Sequence, residues 1–240
     1  MVLRKLVLIA VAGVWFALLG PVAAVALKAG EKATSQTLLF DSPYLERLAL
    51  PRTLSYSYRR RTENEKKFGS RIDDAISVKI SKSKKSNGLN NVTLEIFTGE
   101  KQRRLGPHRD MRGNPVLMAF LELDIWHMKR RVGGVPVFFR NSIRKAFRES
   151  ATVEEIKIEF EGRTVPAHKV TIKPFVKDPN APRLKDFRQK VYEFTVSDMV
   201  PGGFHKIRSW VPKLEGTGLL IDDTLIFKGA DDTGTDPKVQ

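Results

Sequence analysis

Within RGNPVLMAFLELDIWHMKRR, residues 112–131, Asp124, His127 and Arg131 have the types and spacing for proton transfer. On a helix the i, i+3, i+7 pattern puts all three along one edge. A carboxylate beside an imidazole does general acid–base work when the two meet within hydrogen-bond reach. The preferred alternative is structural: a helix-surface salt network, or a buried Asp satisfied by a nearby Arg, because buried charge must be paired.

No other chemistry-bearing pattern is stronger. The four histidines, His108, His127, His168 and His205, make no HExxH or HxH spacing, so no metal site is expected. There is no GxSxG elbow and no Gly-rich phosphate loop followed by Lys-Ser/Thr. Asp222-Asp223 and Asp231-Asp232 lack the ligand count of a calcium loop. Asn91-Val92-Thr93 matches a glycosylation sequon, a pattern too short to weigh. Cysteine is absent, which excludes thiol catalysis, disulfides and Cys-based zinc sites. No cofactor is expected.

The helix that carries Asp124 is the best-signalled element of the chain. Asn114 caps it, Pro115 takes the first turn, and Gly133-Gly134 ends it after Lys129, Arg130 and Arg131, cations that suit the negative end of the dipole. Leu117, Leu121, Ile125, Met128 and Val132 form one stripe; Val116, Ala119, Leu123 and Trp126 cover most of the opposite side. A helix apolar nearly all round must be covered on more than one face. A second, amphipathic helix follows Pro136, with Phe139, Ile143, Ala146 and Phe147 opposite Arg140, Arg144, Lys145 and Arg148. It reads as an ordinary core-facing helix, with a flap at a membrane face as the alternative.

Period-two alternation marks the strands. Three precede the helices: RTLSYSYRRR, DAISVKISK and NVTLEIFTG. Five follow: VEEIKIEFEG, TVPAHKVTIKPF, KVYEFTVSD, GFHKIRSWVP and LLIDDTLIFK. Their links are too short for parallel crossovers. The expectation is an α+β fold: one curved antiparallel sheet of about eight strands, a half-barrel wrapped around the central helix and the second helix. It forms a single domain over 51–228, with a helical insert at 115–149, a polar lead-in at 27–50 and a disordered tail at 229–240.

The N-terminus reads as an export signal. Arg4 and Lys5 precede an apolar run from Leu6 to Leu19, Gly20-Pro21 breaks it, and Ala24-Val25-Ala26 offers the small-x-small cleavage pattern. Residues 1–26 are therefore expected to be a cleavable signal peptide, cut near Ala26, with an uncleaved anchor as the alternative. The periplasm suits such a chain, and lack of a Cys excludes the lipoprotein route. The formal net charge of +15 falls by two with Arg4 and Lys5, leaving an excess that attracts anionic partners. For an exported protein these are lipid headgroups, lipopolysaccharide phosphates or cell-wall polymers. Tyr56, Tyr58 and Arg59–Arg61 interleave aromatics with bases, a pattern that suits single-stranded nucleic acid, but strand alternation accounts for them and the export signal argues against nucleic acid as a partner. Oligomeric state is not legible.

In element order, from RTLSYSYRRR through NVTLEIFTG and NPVLMAFLELDIWHMKRR to the five later strands, residues 50–228 resemble the periplasmic lipoprotein-carrier (LolA-like) superfamily. That resemblance implies an open barrel whose mouth is plugged by short helices and which holds acyl chains. The long apolar helix departs from it, since a cavity so filled leaves little room for lipid.

Two functions lead, with a hydrolase using Asp124 and His127 ranked third behind them. The first is a non-enzymatic module holding an apolar or anionic amphipathic, lipid-like ligand between sheet and helices. Tyr56, Tyr58, Leu117, Leu121, Phe138, Phe139, Tyr192 and Trp210 would line its cavity, and Arg59, Arg60, Arg140 and Arg144 would meet an anionic headgroup. The second is a basic envelope structural or interaction protein with a filled core, docking on cell-wall or membrane components. A cavity of about 300 Å³ or more separates the first from the second.

Overall fold

The computed structural model describes residues 33–83, 89–179 and 181–232. The expected signal peptide and the residues beyond 232 lie outside them.

Alternation in the sequence becomes a nine-stranded, wholly antiparallel sheet. Its strands are β1 (Arg52–Thr62), β2 (Ile72–Lys82), β3 (Asn90–Ile96), β4 (Arg103–Met111), β5 (Thr152–Phe160), β6 (Arg163–Ile172), β7 (Val191–Val196), β8 (Phe204–Pro212) and β9 (Leu219–Asp232). The order is β4-β3-β2-β1-β9-β8-β7-β6-β5, two meanders closed upon each other where β1 pairs with β9. This is the expected α+β class with a single open, curved sheet.

One strand more is present than the alternation predicts. β4, RRLGPHRDM, is charged, holds Gly106-Pro107 and shows no apolar period. It succeeds as a strand because it is at the sheet's edge, where a proline breaks no inner ladder. Its register with β3 slips at two places, as irregular edge strands do. At the other end of the chain, β9 runs on to Asp232, pairing Gly229–Asp232 with Ser55–Arg52. Strand therefore occupies the first four residues of the stretch whose composition reads as a tail. The lead-in likewise joins the fold: Leu38, Leu39, Tyr44 and Leu45 are buried in the core.

Among the described residues three α-helices accompany the sheet, α1 (Glu65–Phe68), α2 (Val116–Val132) and α3 (Pro136–Glu149), with shorter π- and 3-10-helical turns beside them. Asn114 starts α2 as expected. Its Oδ1 accepts from Val116 N at 3.1 Å, while Nδ2 donates to Tyr56 Oη and Gly202 O, both at 2.9 Å. One side chain thus caps the helix and ties it to β1 and to the β7–β8 turn. Leu117, Leu121, Ile125 and Met128 are all buried, the stripe that the helical period places on one face. On α3, Phe139, Ile143, Ala146 and Phe147 turn inward, with Phe147 against Phe194 at 5.4 Å between ring centroids.

The second apolar side of α2 is covered only in part. Val116 and Ala119 are buried as expected and Leu123 is half-buried, but Trp126 is 51% exposed and the neighbouring Met118 44%. That side forms one wall of a cleft.

Candidate ligand-binding cleft

The inward parity of β3 places Leu94 and Ile96 on the concave face of the sheet, both buried. β4 continues that wall outward with Leu105, His108 and Met111. Opposite stand Met118, Ala119, Leu123 and Trp126 of α2. Between them lies a cleft of about 950 Å³. Leu105, at 43% exposure, joins Met118 and Trp126 in presenting apolar surface to it. Volume and apolar walls match those of small-molecule sites, which span about 300–1,000 Å³.

Charge gathers at the rim. Lys101, Arg103, Arg130 and Arg131 border the cleft together with Glu100 and Glu122. Glu122 is already neutralised, because Arg140 holds it through two hydrogen bonds of 2.7 and 2.6 Å, and this pairing keeps its carboxyl below the usual carboxylate range. Arg130 lies over the Trp126 ring at 4.5 Å, a cation–π contact. The rim is therefore net cationic around an apolar interior.

Beneath α2 the core holds two ion pairs. Lys190 Nζ and Tyr192 Oη donate to the two carboxylate oxygens of Asp124 at 2.8 and 2.5 Å. Arg60 donates to Asp223 Oδ2 at 2.5 Å and to Phe68 O at 3.3 Å. All four charged groups are almost fully buried. Burial raises the Asp223 carboxyl to about 7 against the pull of Arg60, and burial and Asp124 raise the Tyr192 hydroxyl well above its ordinary value. His127 borders the cleft just above these pairs. Burial, reinforced by Arg60, holds its imidazole neutral down to about pH 4.

The acid–base edge thus resolves into separate roles. Asp124 is committed to Lys190 and Tyr192, the structural reading with Lys in place of the expected Arg. His127 turns to the cleft, and Arg131 is exposed at the rim. Among the described residues no cluster of three or more His, Asp or Glu is arranged to hold a metal ion.

The expected lining residues pack elsewhere. Tyr56, Tyr58, Leu117, Leu121, Phe139 and Tyr192 fill the core beneath and beside α2, each at most 4% exposed. Phe138 is half-buried and stacks on Phe175 at 6.4 Å. Trp210 lies on the outer parity of β8, with Arg208 at 4.8 Å from its ring. None of the eight borders the cleft. The four expected headgroup arginines do not converge either: Arg59 is exposed on β1, Arg60 is inside with Asp223, Arg140 holds Glu122, and Arg144 faces outward from α3. Parity places a side chain inside or outside, but not beside a void. The cleft's own residues had a faint signal in the surplus apolar side of α2, and none in β4, where Leu105 stands alone among charges.

No family model and no curated protein matches the chain. Solved structures give distant likenesses. A chain of the Pseudomonas aeruginosa MucA/MucB complex aligns at a TM-score of 0.35 and 10% identity, covering 81% of this chain and 56% of its own; this chain thus spans little more than half its length. Mycobacterium tuberculosis lipoprotein LppX aligns at 0.30 and 9% identity, covering 73% of this chain and 84% of its own. At such scores neither neighbour's ligand or partner is carried across.

Proposed function

We propose that the protein is an exported, non-enzymatic binding module that takes the apolar part of an anionic amphipathic ligand, such as a lipid, into the cleft between α2 and β3–β4. The cleft itself supports this reading: about 950 Å³, walled by Leu105, Met118 and Trp126. Exposed apolar side chains that converge on one cavity, instead of scattering, are the mark of a ligand or partner site. A filled-core docking protein has no use for such a space. The cationic rim suits a negatively charged headgroup, and the committed carboxylate of Asp124 argues for a structural role there. Export rests on the pattern of residues 1–26.

Native mass spectrometry of gently purified protein tests the reading. A bound lipid-sized mass is expected in the wild type. It should vanish in Leu105→Trp and Met118→Trp, which fill the cleft from exposed positions without disturbing the core. Bare wild-type protein under every extraction condition, or a ligand retained in both filled variants, contradicts it.

A further inference from the structure

A separate surface lies at the α2–α3 turn. Gly133 and Gly134 both take positive φ, 74° and 82°, a conformation that glycine adopts without strain. They end α2 and let the chain reverse, throwing Val135 and Val137 outward at 58% and 55% exposure. A second loop, after β6, presents Val176 at 43%. The two loops meet through Phe138, which stacks on Phe175 and touches Phe139 at 5.3 Å. Exposed cations adjoin the three valines in the chain: Lys129, Arg130 and Arg131 in the last turn of α2, Lys173 and Lys177 on either side of Val176, with Arg130 lying over Trp126 and Arg131 beside Gly69 on the cleft side. Among the described residues none of these five forms an ion pair. The helix-ending trio suits the dipole of α2, but Lys173 and Lys177 have no such reason to be there.

We infer that this two-loop tip docks on an anionic lipid bilayer, with Val135, Val137 and Val176 entering the interface and the five cations meeting the headgroups. Exposed apolar side chains with cations nearby gain from both terms of interfacial binding: apolar burial, and attraction to negative headgroups. A bilayer fits better than a protein groove, because exposed cations accompany the valines both at the end of α2 and in the loop after β6, as one continuous negative surface would require. Arg130 and Arg131 also border the cleft, so docking brings its rim to the membrane. Val135, Val137, Val176, Lys129, Lys173 and Lys177 lie outside the cleft's lining, so the inference stands without the cleft reading.

The chain contains no cysteine, so one introduced thiol carries a unique label. A nitrobenzoxadiazole label is placed on Val135→Cys, Val176→Cys or, as a remote control, Glu161→Cys in the exposed β5–β6 turn. Each full-length protein is mixed with vesicles of phosphatidylcholine containing 30% phosphatidylglycerol. Labels at 135 and 176 should brighten several-fold and shift to the blue, while the label at 161 stays unchanged. This readout follows the tip itself, whatever the N-terminal segment does. Adding Lys129→Gln, Lys173→Gln and Lys177→Gln, none of which borders the cleft, to the Val135→Cys protein should raise the lipid needed for half-saturation by about tenfold or more. Tip labels that stay water-exposed overturn the proposal and leave the surface to a protein partner. An equal response at position 161, an equal response to pure phosphatidylcholine, or indifference to the three neutralisations also overturns it.

Discussion

Arg60 and Asp223 show how much of a site one residue's parity can reveal. β1 alternates Leu54, Tyr56 and Tyr58 inward, and the next inward position is Arg60; β9 alternates Ile221, Asp223, Leu225 and Phe227 inward. An inward Arg and an inward Asp on strands that become neighbours have to find each other, and they pair in register. Taking either away strands a buried charge. Arg60→Met alone should cost about 3–5 kcal/mol in urea unfolding, whereas Arg60→Met with Asp223→Leu should recover most of it, since an apolar pair of similar volume is near neutral. His127 makes a pH prediction. Its imidazole is depressed from 6.5 to about 4 in the fold, so between those values the unfolded chain binds more protons, and stability falls as pH drops from 6.5 toward 4. Asp223, raised to about 7, acts in the opposite sense over an overlapping range, so the single variant must be compared with the wild type. His127→Gln should be less sensitive to acid than wild type by about 3 kcal/mol at pH 4, read from paired denaturation curves. An unchanged difference between pH 7 and 4 contradicts the burial of the imidazole. Which residues face in was therefore legible. Lys190 as the partner of Asp124 was not: it opens KVYEFTVSD on the parity of the buried Tyr192, Phe194 and Val196, which turns it inward but does not name the carboxylate it meets.

Elements with strong periods or punctuation were legible in the same way: α2, α3 and eight strands follow from apolar spacing and from Gly and Pro. β4 was not, because an edge strand needs neither apolar alternation nor unbroken N–H donors. The lead-in was misleading for another reason. Its Leu38, Leu39, Tyr44 and Leu45 show no period long enough to read, yet all four are buried, the two leucines on the short π-helical turn Thr37–Asp41 and the other two in the turn after it, held by contacts that sequence spacing does not encode. Gly203 is one such contact. It has φ +82°, and a Cβ there would meet the Tyr44 ring at 2.3 Å. Gly203→Ala should therefore lose about 2 kcal/mol or more by thermal unfolding, combining left-handed strain with a clash against the lead-in. Gly99→Ala, also left-handed at φ +58° but with nothing within 4 Å, should lose only about 1 kcal/mol. Equal losses at the two positions would mean that the Tyr44 contact carries nothing.

At the scale of the whole molecule, the class and the antiparallel wall were legible and the empty space was not. Apolar residues announce burial, but burial has two ends: against protein, as for Leu117, Leu121 and Tyr192, or against a ligand, as proposed for Met118 and Trp126. The length and greasiness of α2 suggested that it would fill the interior. Instead it packs one side into the core and leaves the other facing β3 and β4, so the molecule has both a solid core and a cleft. The charge of +15 then acquires a layout, with cations at the rim of the cleft and around the valine tip.

Trp126 reports directly on that cleft. In the full-length chain, Trp15→Phe and Trp210→Phe leave it as the sole tryptophan, half-exposed on the cleft wall. Titration with a fatty acid brominated along its chain should quench Trp126 emission saturably, to a plateau near one ligand per protein, with a shift to the blue as water leaves the wall. Emission that stays unchanged across the titration, while the protein remains folded, would contradict an acyl chain lying between α2 and β4.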